Sequence, residues 1–340
     1  MSLSSALRAR AIVALLLLGA AACGSEAETA QAPASSASES ADPLTQIPPA
    51  ELYGASPVEN LWSPRFELEV AALPAGWDGA RIAVLADFRV GLWEGNEEIA
   101  RAAVQRTLEL EPDIVVLFGD FVEEGTDAAT LADILAPLNG RVVLAALGGG
   151  DVTSDSLAAE LTRVLEDAGV EILRNEETPV VLNSDTAWVA GLDPDVVPMT
   201  FADQQWVLSN LGQAGRTPIL LTQVPAMATR APEDRFPVVL ASNAFCGDVE
   251  VPGTPRLSWI REEALPGAAA EGFDRVFQIG GSTILITCGL GYGFVPLRFG
   301  APPEVPLLTL VRAGAPAVEA TEAIEDSVVQ QFQPEETDSL

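Results

Sequence analysis

The chain contains no histidine, and its 18 basic residues include no lysine; every one is arginine. Without imidazole there is no histidine general base, nucleophile or metal ligand. Without lysine there is no Ser–Lys pair to activate a hydroxyl. Aromatic residues make up only 6% of the chain and there are just 3 cysteines. Positive charge is scarce as well: 49 Asp and Glu against 18 Arg give a net −31 and a pI near 4.1. That balance excludes charge-driven binding to nucleic acid or to an anionic membrane face. Apolar residues, by contrast, are plentiful. A hydrophobic content of 48% and a mean hydropathy of +0.25 exclude a mainly disordered chain. A length of 340 residues suffices for a sizeable core and suggests about two domain-sized units.

The N-terminus reads as an export signal. Arg8 and Arg10 precede an apolar run, Ala11 to Leu18, and then Gly19-Ala20-Ala21-Ala22-Cys23. The run is too short to cross a bilayer. A cysteine behind three small residues resembles a bacterial lipobox, although Ala20 stands where lipoboxes usually carry Leu. Two outcomes remain open: lipidation of Cys23, or ordinary cleavage after Ala22 that leaves it bare. The expected organisation is a signal peptide over 1–22, a lipidated Cys and flexible tether over 23–60, a folded body over 61–312, and an acidic tail over 313–340. The tether lacks apolar periodicity, and Glu319 to Gln331 could form a loose helix in the tail. These features predict an exported, membrane-anchored lipoprotein of the cell envelope.

Within the body, short apolar runs alternate with amphipathic stretches. Strands are expected at Arg81–Ala86, Asp113–Phe118 and Arg141–Leu147, with helices from about Glu97 to Leu110, Ala128 to Leu138 and Ser156 to Ala168. Further strands follow over 170–173, 179–182, 187–190, 218–221, 237–240, 283–287 and 305–311, with a helix near 202–211. Parallel β-α-β units followed by many strands predict a layered α/β fold with helices outside two sheets. Trp93, Trp188, Trp206 and Trp259 read as packing residues, with Trp93 also able to rim a cleft.

In open α/β sheets, functional side chains gather in loops at the carboxyl ends of strands. Here those loops read Ala86-Asp87-Phe88-Arg89, Gly119-Asp120-Phe121-Val122, Leu147-Gly148-Gly149-Gly150-Asp151, Thr222-Gln223-Val224-Pro225 and Ala241-Ser242-Asn243-Ala244-Phe245-Cys246. The glycine run reads as a relaxed loop, with Asp151 supporting it by local hydrogen bonds. Glu123 and Glu124 read as solvated surface. Cys246 and Cys288 are either a disulfide pair in an oxidising compartment or two unpaired thiols.

These stretches, with Trp77–Asp87, Glu111–Asp120, Gly169–Glu176, Thr287–Gly291 and Pro296–Glu304, resemble the calcineurin-like metallophosphoesterase superfamily. The resemblance implies a layered α/β-β-α sandwich of two mixed sheets with flanking helices. Members bind two divalent metals, which clamp a phosphate ester and activate water. Carried over position by position, Asp87 and Asp120 keep their type, with Asp120 as the metal-bridging carboxylate. Arg89 replaces a histidine, Gly149 an asparagine ligand, Gly150 the leaving-group histidine, and Gln223 a lone histidine. Asn243 and Phe245 replace the last histidine pair, while Asp151 remains.

The expectation is therefore a degraded metal site, no cofactor and no confident catalytic residue, with Arg89 supplying the missing positive charge near Asp87 and Asp120. The retained cleft or surface would bind an envelope protein or a small anionic ligand, and no nucleic acid. One alternative is an active enzyme holding a single Mn²⁺, Mg²⁺ or Ca²⁺ through Asp87, Asp120, Gln223 and Asn243. Another is an inert structural lipoprotein.

Overall fold

A computed structural model describes residues 52–53, 58–194, 201–212, 219–232, 235–242, 276–279, 281–293, 296, 298–299 and 301–313. The signal and lipobox positions including Cys23, the segment holding Asn243, Phe245, Cys246 and Trp259, and the acidic tail lie outside the described residues.

The middle of the first sheet is built from apolar runs that are buried along almost their whole length, Arg81–Ala86, Ile114–Phe118 and Val142–Ala146. Strands β1 (Leu52–Tyr53), β2 (Arg65–Val70) and β3 (Arg81–Ala86) lead into helix α1 (Glu94–Leu110) and β4 (Ile114–Phe118). Helix α2 (Ala128–Leu135), β5 (Val142–Ala146), α3 (Asp155–Asp167) and β6 (Glu171–Ile172) complete that half. The sheet order is β2-β14-β3-β4-β5-β6, where β14 is Leu307–Arg312. β3 to β6 run parallel, and β14 lies antiparallel to β3 and parallel to β2.

The helix boundaries follow local chemistry. Asp127 accepts from the Ala129 N–H at 2.9 Å to start α2, and the Ser154 hydroxyl accepts from Leu157 to start α3. Helix α1 ends where Glu111 turns left-handed, immediately before Pro112.

The second sheet has the order β11-β12-β10-β9-β8-β7. Its strands are β7 (Glu176–Leu182), β8 (Asp185–Gly191), β9 (Ile219–Thr222), β10 (Val238–Ala241), β11 (Val276–Ile279) and β12 (Ser282–Ile286), with α4 (Phe201–Asn210) between β8 and β9. The central four strands are parallel, and both outermost pairings are antiparallel.

Three apolar layers define the sandwich. Phe66, Leu68, Val84, Val116 and Phe118 of the first sheet pack with Val189, Leu221, Val238 and Leu285 of the second. Ile99, Val104, Leu131 and Leu161 of the first three helices cover the other face of sheet one. Leu208 and Leu211, at the end of α4, pack with Val239 and Ile284 on the outer face of sheet two. The protein is a two-sheet α/β sandwich with flanking helices, as its alternation of strands and helices predicts.

Three expectations need correction. β2 is not among the expected strands, yet Phe66, Leu68 and Val70 alternate buried with Arg65, Glu67 and Glu69 exposed, a period of two. Leu52–Tyr53 pairs antiparallel with β13 (Arg298–Phe299), so an ordered strand lies within the stretch assigned to the tether. Trp206 does not pack in the core; it is 69% exposed on α4.

Candidate functional site

The informative side chains meet where β3, β4, β5, β9 and β10 end. The loops after β3 and β4 run side by side: Asp87 donates its N–H to the Gly119 carbonyl and Arg89 to the Asp120 carbonyl, at 3.1 and 2.8 Å. Asp87, Arg89 and Asp120 all lie in the left-handed region, with φ of 53°, 47° and 41°. For residues with a Cβ this costs about 1 kcal/mol or more each. Phe88 anchors the turn from the core side, its ring 5.5 Å from that of Phe121 and both fully buried. Asn96, buried in the first turn of α1, donates to the Arg89 carbonyl at 2.8 Å and accepts from the Tyr292 N–H at 2.8 Å.

Asp120 is the hub. Its Oδ2 takes the Arg89 Nη2 at 2.5 Å, and its Oδ1 accepts from the Gly150 N–H at 2.7 Å and Gln223 Nε2 at 2.8 Å. Arg89 Nη1 also reaches Glu123 Oε1 at 3.4 Å. Glu123 therefore belongs to the site rather than to the solvated surface. The side chains of Arg89 and Asp120 are 11% and 9% exposed, so their pairing occurs largely out of water. Asp87 is fully buried, and its Oδ1 accepts from the Ser242 hydroxyl at 3.4 Å.

The glycine loop is pinned, not relaxed. Each of its N–H groups meets a side-chain acceptor: Gly148 to Asp151 Oδ2 at 2.8 Å, Gly149 to Gln223 Oε1 at 2.6 Å, and Gly150 to Asp120 Oδ1. A Cβ on Gly148 would stand 2.2 Å from the Asp120 nitrogen, so only glycine lets these two loops approach. Asp151, fully buried, also accepts from the Phe121 N–H at 2.7 Å. Burial first, and the Asp120 charge second, push its carboxyl up to about 8, against the lowering pull of the Gly148, Phe121 and Val122 N–H groups.

A second polar cluster lies beside Asp87. Gly291 donates its N–H to the Asp87 carbonyl at 2.8 Å. Cys288, which is disulfide-bonded, is held through its own peptide groups. Its N–H donates to Glu304 Oε1 at 2.8 Å, and its carbonyl accepts from Arg298 Nη1 at 3.0 Å. Arg298 Nη2 also donates to the Gly291 carbonyl at 2.6 Å, and Thr287 donates its hydroxyl to Glu304 at 3.0 Å. Arg298 and Glu304 are both fully buried.

The site thus brings together Asp87, Arg89, Asp120, Gly149, Gly150, Asp151 and Gln223, while Asn243, Phe245 and Cys246 lie outside the described residues. Glu123, Ser242, Asn96 and Arg298 join them without being expected as site residues; Glu123 and Ser242 are signalled by a position in a strand-end loop and Asn96 by being polar on a buried helix face, whereas Arg298, in β13, has no such local signal. Among the described residues, no group of three or more Cys, Asp or Glu side chains is placed to hold a metal ion. Trp93 donates its indole N–H to the Gly293 carbonyl at 2.7 Å.

Two sequence relatives carry a metallophosphoesterase description. One is the uncharacterized metallophosphoesterase YkuE of Bacillus subtilis (strain 168), 22% identical over 252 residues, covering 72% of this chain and 83% of that protein. Another is a transmembrane protein with a metallophosphoesterase domain from Danio rerio, 25% identical over 260 residues; the match covers 73% of this chain and 56% of its length. Among solved structures, TT1561 of Thermus thermophilus aligns over 62% of this chain and 89% of its own, at 11% identity and a TM-score of 0.42. Purple acid phosphatase PPD1 from yellow lupin (Lupinus luteus) seeds aligns over 50% of this chain and 38% of its own, at 12% identity and a TM-score of 0.33. No family model matches.

The protein has a metallophosphoesterase-like fold. Its resemblance is to the calcineurin-like metallophosphoesterase superfamily.

Proposed function

We propose that this chain is a catalytically silent phosphoesterase-like domain, exported and held at a membrane by a lipid on Cys23, whose role is binding rather than hydrolysis. The observation that carries the reading is the occupancy of Asp120: three protein donors, including a permanent cation, already sit on its two oxygens. A divalent ion needs those lone pairs and is repelled by a guanidinium at hydrogen-bond distance. That occupancy argues against a dinuclear centre among the described side chains.

Purified protein should carry substoichiometric metal and should not turn over bis-p-nitrophenyl phosphate above background in added Mn²⁺. Stoichiometric metal with turnover abolished by Asp120→Asn would overturn the reading. That outcome would favour an oxygen-only site using Asp87, Asp120, Gln223 and Asn243, an alternative supported by the retention of both aspartates.

The anchor rests on the order Arg8, Arg10, apolar run, small residues, Cys23. Because the body carries a large negative charge, it has no electrostatic means of holding an anionic bilayer, and the acyl chains must do so. Cys23→Ser should move the protein from the membrane pellet to the soluble fraction and abolish incorporation of radiolabelled palmitate. Unchanged fractionation would remove the lipid from the account. An envelope protein or small anionic ligand is the proposed partner, and crosslinking in intact cells before solubilisation tests for the former.

A further inference from the structure

From the end of β9 in sheet two, the Gln223 side chain bonds both the β4 loop and the β5 loop of sheet one. The apolar layer between the sheets is non-directional and does not by itself fix how one sheet sits along the other. Two hydrogen bonds of fixed direction do.

We infer that the Gln223 carboxamide is a clamp that locks the two sheets in register at the cleft and keeps the glycine loop closed. The inference rests on the silent reading above, because a cation on Asp120 would compete for the same Oδ1.

The chemistry selects an amide. Position 223 faces a donor, the Gly149 N–H at 2.6 Å, and an acceptor, Asp120 Oδ1 at 2.8 Å. A carboxylate could take the first bond but would oppose Asp120 across the second, and an ammonium could make only the second. The residue is 4% exposed, so water has little room to replace a lost partner. With Gly149 capped by Gln223, and its neighbours capped by Asp151 and Asp120, the glycine run offers no N–H to an incoming phosphate. This assigns a closed loop where a glycine run suggests a receptive one.

The test is Gln223→Glu against wild type in urea unfolding. At about pH 7.5 the variant's midpoint should fall by about 1 M, and the gap should shrink at about pH 5, where a protonated Glu donates to Asp120 again. Equal midpoints at the higher pH, or a gap that ignores pH, would overturn the clamp. Should the variant fail to fold, amide exchange on the wild-type protein in EDTA decides instead. The Gly149 N–H should exchange about 100-fold or more slower than an open amide, and exchange at the open rate would overturn the proposal. Turnover with bound metal alongside a protected Gly149 would defeat the silent reading and leave the clamp standing; an unprotected Gly149 with no turnover would do the reverse.

Discussion

Replacing Arg89 with alanine should lower the melting temperature by about 10 °C at neutral pH. The reason is the company Arg89 keeps. Removing the guanidinium strands the Asp120 carboxylate, whose side chain is only 9% exposed. Breaking one side of a buried pair costs about 3–5 kcal/mol, because the remaining charge has neither partner nor water. The Gly150 and Gln223 donors stay in place, so the lower end applies, and about 3 kcal/mol corresponds to about 10 °C in a domain of this size.

A double-variant cycle sharpens the result. Asp120→Asn keeps an oxygen for Gly150 and removes the charge, so Arg89→Ala combined with Asp120→Asn should recover part of the loss. Calorimetric scans of the four proteins check this. Identical melting of wild type and Arg89→Ala would mean that the guanidinium does not hold the carboxylates together.

The second large effect concerns Asp151 and acts through pH. Its folded-state carboxyl is raised to about 8 from an ordinary 3.8. Below about pH 4 both folded and unfolded chains hold the proton, and the residue contributes no pH dependence. From about pH 4 to 8 the unfolded chain releases the proton while the folded chain keeps it, so stability falls as pH rises, by about 1.4 kcal/mol per unit. The total loss is on the order of 5 kcal/mol and levels off above about pH 8.

Asp151→Asn cannot ionise. It places an NH₂ near one of the Gly148 and Phe121 donors, a penalty that does not change with pH. The unfolding free energy of wild type minus that of the variant should therefore decline steadily across this range in urea titrations. Parallel curves would show that the backbone donors prevail over burial and keep Asp151 charged.

Much of the architecture is written in local pattern. β3 and β4 are unbroken apolar runs, and α1 ends before Pro112, so their places follow from periodicity and stop signals. β2 is harder to see because its alternation of Arg65, Glu67 and Glu69 with apolar residues is short and follows a polar tether. The edge strand β7 begins three residues earlier than expected, because Glu176, Glu177 and Thr178 carry little apolar signal and are set by pairing with β8.

At the site, Asp87, Arg89 and Asp120 are legible because each closes an apolar strand run. The bonds that give them meaning are not. Gly149 and Gln223 are 74 residues apart, and Gln223 and Asp120 are 103 apart, so only the packing of one sheet on the other brings them together. Glu123 looks like surface because nothing in its own neighbourhood of sequence announces that the Arg89 side chain will turn toward it.

The polar seat of Cys288 has a practical corollary for handling the protein with dithiothreitol. Fully buried Arg298 and Glu304 grip the peptide groups of that residue itself, independently of its sulfur. Cutting the S–S bond therefore leaves Cys288 and the segment after it docked against β3, through the Leu290 N–H on the Ala86 carbonyl, so the amides around Cys288 should exchange as slowly in a reduced sample as in an oxidised one.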